Sequence, residues 1–582
     1  MTMTRPTTEQ ITHQGRLLSG VLGDAPVNVM EYGAKGDGVT DDTAAIQAAI
    51  NAAAGGAVYF PAATFLVATT ASITITQPCK LYGQGILVKA NANAYGMLMI
   101  YSSDVSIDGL EMRGANLDAT PATAVFADSA IRVNDDGYSS GLVTRRLSFT
   151  NLKINGFSHM GIYVGFSEDV TVSGNQIRYV GYAGIMFDSV RRGVIANNRV
   201  SWVDSASAID DRYGISLSRD PQFSTTVSWH TQDVVVIGNV VTDIRVWVGI
   251  EGHAPLNCQF VGNVVARCFY GMFVQYDSAN YAYNEIARNV RIANNVIIGR
   301  PTLSENGFGI ASLGTPLVGR NENIVIENNL LIGSGSWQAG AGAVGLNHSR
   351  NSVVRNNIVY KAIGNGLVMQ NGCDNCIVEG NVVDGLYGPT GAGSSVWALI
   401  RLGNTRCVFR GNVLRNTTGS DDYKAVNGIA YDVANTGTLH SRNRIDVTNA
   451  MRGNTPSDTA RRLIVTLSGG LANRYTDLAW ELETESCAPF THTATGGAPR
   501  EATASQISNF RRLPATGSTA ALTIQRVRAS YRSTDTTYQI AVRPNEGNAY
   551  TVGVYTVDGT NITASASIPD IYITIEGIYW DD

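Results

Sequence analysis

Charge, lysine and long apolar runs are all scarce in this 582-residue chain, and each scarcity removes a class of answers. Asp, Glu, Lys and Arg together make up only 16% of the residues, with a formal net charge of −5. That balance leaves no basic footprint, so nucleic acid is not an expected partner. Between Lys153 and Lys361 there is no lysine, and the cations of that stretch are Arg or His. No apolar run approaches the ~18–20 residues that cross a bilayer as a helix, so no membrane insertion is expected. The opening Met1-Thr2-Met3-Thr4-Arg5-Pro6 lacks the apolar core of a secretory signal. Cysteines 79, 258, 268, 373, 376, 407 and 487 form an odd, scattered set, and Cys373-Asp374-Asn375-Cys376 has no second pair beside it. Buried, reduced thiols and synthesis in a reducing compartment are expected, with no metal and no cofactor.

Helical periodicity is nearly absent as well. What replaces it is an asparagine recurring in a nearly constant setting, at 175, 198, 239, 263, 295, 329, 357, 381, 412 and 443, usually preceded by Gly or Asn and followed by aliphatic residues. The spacings have a floor near 23 residues with variable excess, the signature of a solenoid with elastic loops. The runs between the asparagines alternate or are β-branched, as in Val234-Val235-Val236-Ile237, which reads as strand. A second landmark is Gly followed by an aliphatic residue, as at Gly161-Ile162, Gly184-Ile185, Gly214-Ile215, Gly249-Ile250, Gly271-Met272 and Gly309-Ile310. Strand, Asn turn, strand, Gly turn, strand in about two dozen residues predicts one rung of a right-handed parallel β-helix. Asn suits such a turn because it tolerates the αL backbone and bonds locally. Stacked from rung to rung, its amides predict a ladder of scaffold bonds.

Upstream, Tyr32-Gly33-Ala34-Lys35-Gly36-Asp37-Gly38 leads through Thr40-Asp41-Asp42-Thr43 into an Ala-rich stretch, Ala44 to Ala54, that ends at Gly55-Gly56. Thr40 or Asp41 is the expected N-cap, with carboxylates in the first turn. A helix here covers the open end of the solenoid core, which a stacked repeat requires. Asp37, Asp41 and Asp42 lack the EF-hand spacing for calcium, and capping accounts for them. This segment, with Ile46-Gln47 and Ile50, resembles the N-terminal motif of the pectate-lyase-like superfamily in the form found in bacteriophage tailspikes. The resemblance covers roughly residues 27–67. It implies a right-handed parallel β-helix, assembled as a homotrimer, that binds and cleaves a bacterial surface polysaccharide, capsule or O-antigen. It also implies a virion protein, made in the host cytoplasm and joined through its N-terminus to a phage tail or baseplate protein.

The expected organisation is an attachment segment at 1–26, a cap at 27–70, the parallel β-helix with its substrate groove at 71–449, and a β-rich region at 450–582. In the last of these, strict alternation such as Ile571-Tyr572-Ile573-Thr574-Ile575-Glu576, and a hairpin turn at Val557-Asp558-Gly559-Thr560, predict a small antiparallel β domain. Trimerisation is its expected role. A carbohydrate-binding module using Tyr572 and Trp580 is the alternative.

Strand alternation locates the chemistry. If the aliphatic residue after each Gly points inward, the second and fourth residues after the Gly point outward. The fourth position then reads Asp188, Ser218, His253, Gln275 and the second reads Met186, Ser216, Glu251, Phe273, with Asp220 and Asp277 just beyond. Glycosidic hydrolysis commonly uses two carboxylates, ~5–5.5 Å apart in retaining enzymes and ~6.5–9.5 Å in inverting ones. Rungs ~4.8 Å apart bring acids on neighbouring rungs into either range. The leading pair is Glu251 and Asp277, followed by Asp220 and Asp188. Asp210, Asp211, Arg212, Tyr213, His253, Gln275, Tyr276, Trp202, Trp229 and Trp247 are the expected substrate contacts. Two alternatives stand beside hydrolysis. One is a lyase acting by β-elimination on a uronate-containing polymer, with His253, Arg212, Tyr213 or Arg245 as base or cation; the other is a spike that binds without cleaving.

Overall fold

The computed structural model describes residues 26–417 apart from 54, 68–71, 92–95, 121–127, 135–141, 206–210, 220–229, 278–284, 301–306, 337–341, 388–395, 402 and 416. It also describes Asn443, and elsewhere it gives strand courses only. The chain divides into two compact units, Met1–Ser334 and Gly335–Asp582.

In the first unit most rungs have three strands, for example Val248–His253, Gln259–Val261 and Val264–Ala266, and in Met160–Ser173 and Ala183–Ala196 the first two run on as one. Each pairs in parallel with its counterparts on the rungs before and after. Aliphatic and aromatic side chains stack in three inward columns. Ile162, Ile185, Ile215, Ile250, Met272 and Ile310 are in register on the first strand. Val172, Ile195, Val236, Phe260, Ile292 and Ile326 line the second. The third carries Ile177, Val200, Val241, Val265, Ile297 and Leu331. All are buried, so the core is the inside of the coil. The expected right-handed parallel β-helix is the fold found.

The glycine landmark has a different cause from the one expected. Gly161, Gly184, Gly214, Gly249 and Gly271 lie within the first strand and Gly309 just before it, and none has a positive φ. A Cβ on Gly214 would stand 2.3 Å from both the Gly249 carbonyl oxygen and Val241 Cγ1. On these rungs the first strand begins where the third strand and the next rung's backbone crowd it, which leaves no room for a Cβ at Gly214.

The asparagine ladder also divides its labour. The ladder residues Asn175, Asn198, Asn239, Asn263 and Asn295 are fully buried. Each Nδ2 donates to Oδ1 of the next rung's asparagine at 2.8–3.0 Å. It donates also to a carbonyl of an earlier strand, such as Val236 for Asn263. The αL conformation belongs to the residue before, Gly174, Asn197, Gly238, Gly262 or Asn294. Hence the Gly-Asn and Asn-Asn dipeptides: one residue makes the bend and the next satisfies the buried backbone.

The cap helix runs Thr43–Ala53 and buries Ile46, Ala49 and Ile50. Asp41 accepts from the Thr43 N–H and hydroxyl, at 3.0 and 2.6 Å. Asp42 instead turns back and accepts the Lys35 and Gly36 N–H groups, at 2.6 and 3.1 Å. Asp37 is engaged by the Val39 and Thr40 N–H groups. The three carboxylates therefore organise the Gly-rich loop.

The second unit repeats the rung pattern, with a ladder through Asn357, Asn381, Asn412 and Asn443. The six described cysteines are free and buried, and the Cys376 N–H donates to Cys407 Sγ at 3.4 Å. Beyond the coil, Ala460–Gly469 pairs antiparallel with Ala479–Glu483 and Ile571–Trp580, and Ala521–Tyr531 joins the latter. Tyr538–Asn545, Ala549–Thr556 and Arg500–Ala502 form a further antiparallel sheet. The antiparallel C-terminal expectation holds. The turn at 557–560 and the side chains of Tyr572 and Trp580 lie outside the described residues.

Candidate functional site

The register read from glycine holds on the outer face. Met186, Ser216, Glu251 and Phe273 are consecutive partners. Asp188 pairs with Ser218, and His253 with Gln275. Most of this face is apolar: Met160, Tyr163, Ala183, Met186, Tyr213, Val248, Phe273 and Ala311 form a cluster outside the coil, with Tyr182, Trp247 and Tyr270 packed against it. Ser216 and Glu251 interrupt this hydrophobic patch with polar groups.

Glu251 is 0% exposed. Its Oε1 takes hydrogen bonds from the His253 imidazole and the Gln275 amide. Its Oε2 finds no hydrogen-bond partner among the described residues, and neither do Ser216 Oγ and Trp247 Nε1. Gln275 Nε2 also reaches His253 Nε2 at 3.1 Å, and the Tyr213 ring stands edge-on to the imidazole, centroids 6.2 Å apart. His253 is the accessible member, 23% exposed. Burial pulls its imidazole down, but the charge and hydrogen bond of Glu251, with the fields of Asp277 and Asp211, hold it above its ordinary value. Burial, reinforced by the Glu251 charge, pushes the Tyr213 phenol far up, and burial with Asp211 raises Tyr182. Both stay neutral hydrogen-bonding groups at physiological pH.

Asp277 is 3% exposed. It sits two residues past Gln275, where the strand has ended, and its N–H donates to the Glu285 carbonyl at 2.8 Å. Asp188 lies two rungs before Glu251 and accepts from the Tyr163 hydroxyl at 3.2 Å. Glu251, on one rung, is hydrogen-bonded to the imidazole, and the charge of Asp277, on the next, acts on it from further off, while Asp188 belongs to a neighbouring group.

That neighbouring group was missed in the sequence. Arg132 pairs with Tyr163 in register and lies 4.7 Å from its ring centroid. His159 stacks on Tyr182, centroids 5.1 Å apart and planes 7° apart. Burial and then Arg132 push the His159 imidazole down to about 3. The equivalent rung reads Ala130-Ile131 where later rungs read Gly-Ile, so a count that starts from glycine begins one rung late.

Two expected contacts have other roles. Arg212 is buried and donates to the Ser205 hydroxyl at 2.8 Å and to the Asp211 carbonyl at 2.7 Å, bracing its own loop. Trp202 is on a third strand; its ring stacks on Tyr179, centroids 6.0 Å apart, with the Arg245 guanidinium 5.2 Å from it. Those faces are occupied and do not offer a sugar platform. Trp247 packs edge-on against Tyr270 and Phe273. Tyr276 is half-buried beside Gln275. Asp210, Asp220 and Trp229 lie outside the described residues.

The fold and this outer patch define a class: right-handed parallel β-helices that carry acids on the face of the coil. A family described as rhamnogalacturonase A/epimerase, pectate lyase-like, matches residues 26–133, and a right handed beta helix region matches residues 95–297. Over residues 26–297 the chain is thus similar to pectate-lyase-like, right-handed β-helix proteins. Among its relatives, the capsule K30/K69-specific depolymerase 1 of Klebsiella phage K5-2 is 33% identical over 144 residues, covering 23% of this chain and 18% of that protein. The tail spike protein of Escherichia virus K5 is 24% identical over 271 residues, covering 46% of this chain and 39% of the relative. The chain therefore spans well under half the length of each. A mutant of the tailspike of E. coli bacteriophage HK620, solved with a pentasaccharide, shares the fold over 96% of this chain and 95% of its own, with a TM-score of 0.53 and 12% identity.

Proposed function

We propose that the chain is a phage tailspike that binds and depolymerises a bacterial surface polysaccharide, capsule or O-antigen, by endo-glycosidic hydrolysis. The observation that carries the reading is the burial of two acids, Glu251 and Asp277, on successive rungs and in the field of one imidazole. Burying carboxylates costs several kcal/mol each unless they are well compensated. An isolated coil gains nothing from placing Glu251 on its outer face with Oε2 unused. The two acids are the proposed catalytic pair, with Asp188 next to them. In the hydrolytic reaction water attacks the anomeric carbon as one carboxylate takes its proton, the glycosidic C–O bond breaks, and the other carboxylic acid protonates the leaving oxygen. His253, Gln275 and Tyr276 are the proposed sugar contacts.

The test is depolymerisation of purified host polysaccharide. Hydrolysis shortens the polymer without a new band near ~235 nm, elimination produces that band, and a binding spike leaves the chain length unchanged. Glu251→Gln and Asp277→Asn are each expected to lower the rate about 10²–10⁴-fold while binding persists; full activity in both overturns the assignment. Elimination is the second reading, because His253 is the accessible proton acceptor of the group. Three acids around it make a poor seat for a uronate, which favours hydrolysis.

Assembly as a homotrimer belongs to the same proposal, with residues 450–582 as the trimerisation region and residues 1–26 as the joint to a tail or baseplate protein. An outward apolar stripe supports it. Val240, Val264, Val296 and Leu330 stack on the third strand, and the exposed Ile298 and Ile332 stand two residues on.

A further inference from the structure

The corner that follows the third strand carries two aromatic rings on a backbone that ill suits them. Tyr179 and Trp202 stack there from adjacent rungs, with planes 11° apart, and both have positive φ, 52 and 57. On the rungs before and after, the same place is held by Gly156 and Asp243, residue types that accept a left-handed backbone readily. For a bulky ring that backbone is strained, and strain of this kind gathers at sites of function. Two exposed arginines accompany the rings. Arg245 holds its guanidinium 5.2 Å from the Trp202 ring centroid. Arg199 lies three residues before Trp202 on the outer face of the same strand, in register with Gln176 and Val240.

The acids of this corner are already taken. Asp118 pairs with Arg178 at 2.9 Å and Asp243 with Arg267 at 2.6 Å, while Asp204 lies 4.0 Å from the buried Arg212. Arg245 is felt by Asp243 only from further off. Among the described residues, no carboxylate forms an ion pair with Arg199 or Arg245. Arg300 adds a further guanidinium, donating to the Arg245 carbonyl at 3.3 Å. Two residues on from Arg245, Trp247 packs edge-on against Tyr270 and Phe273 in the outer patch, so the corner borders the face of the coil that carries Glu251 and His253. We propose that Arg199 and Arg245 form a subsite at the rim of that face for the carboxylate of an acidic sugar, with the Trp202 ring as the seat of Arg245. This rests on the polysaccharide-binding reading and not on the hydrolytic mechanism. A guanidinium fork meets a carboxylate with two parallel N–H donors, and it stays charged at every working pH. The ring faces of Tyr179 and Trp202 are occupied, so the subsite binds through charge and N–H donors and not by stacking on the sugar.

The experiment measures equilibrium binding, in the cold, to the purified host polysaccharide in two forms, native and with its carboxyl groups reduced to alcohols. Wild type is expected to bind the native polymer more tightly than the reduced one, with a difference that shrinks as salt rises. Arg199→Gln and Arg245→Gln should each weaken binding of the native polymer by about fivefold and leave binding of the reduced polymer unchanged. Trp202→Asn suits the left-handed backbone, so it should keep or raise the melting temperature while weakening native binding as Arg245→Gln does; full affinity in Trp202→Asn overturns the seat. Full affinity in both arginine variants overturns the subsite. A changed oligomeric state in either arginine variant, read by light scattering, makes the corner a contact between copies and overturns it as well. Wild type that binds both forms of the polymer equally overturns the subsite alone, whereas wild type that binds neither overturns the polysaccharide reading itself.

Discussion

Asn263 shows how much a single ladder residue holds. Its Oδ1 accepts from the N–H and the amide of Asn239, and its Nδ2 donates to the Val236 carbonyl and to Asn295. Asn263→Ala strands those groups inside the coil, and each buried unsatisfied polar group costs about 1–3 kcal/mol. A lowered guanidinium midpoint, corresponding to about 3–6 kcal/mol in sum, is the expected result. His159 gives a pH-dependent counterpart. Its folded value, about 3, lies below the ordinary 6.5, so the unfolded chain binds a proton that the folded one refuses. Stability is therefore complete above about 6.5 and falls as the pH drops towards 3, by on the order of 2–4 kcal/mol. His159→Phe keeps a ring against Tyr182 and should flatten that slope in thermal melts between pH 7 and 4. At this scale the recurring asparagine was visible in the sequence. Its split from the αL residue before it was not, because Asn serves both positions.

At the scale of the strand, register was legible because the Gly-aliphatic landmark repeats and side chains alternate. The landmark is a steric requirement, so it can be tested. Gly214→Ala forces a Cβ to within 2.3 Å of the Gly249 carbonyl and should destabilise the coil by about 1–3 kcal/mol, the usual cost of overpacking. Gly262, with φ +66 and open space around its Cβ direction, sits where Asn197 and Asn294 stand on other rungs. Gly262→Asn should leave the melting temperature nearly unchanged. The third strand was less legible. Trp202 read as a sugar platform because exposure cannot be inferred from residue type, and its neighbours Tyr179 and Arg245 come from other rungs.

For the whole molecule, the apolar stripe on the third strand gives the proposed assembly a direct check. Ile298→Asp adds a charge to an exposed apolar position, and light scattering should find monomer in place of the proposed trimer; an unchanged oligomer moves the interface elsewhere. Composition, the asparagine and glycine periods and the capping segment determined on their own that the chain is a parallel β-helix, and which residues share its outer face. Periodicity can do this because a stacked coil repeats local rules, so that sequence distance converts to rung number. What only the tertiary structure decided is how the outer face is used: that Glu251 is buried and His253 accessible, that Asp277 joins their field, and that Asp188 turns to Tyr163 instead. Those outcomes depend on side chains meeting across rungs separated by loops of unequal length, and no local pattern carries that information.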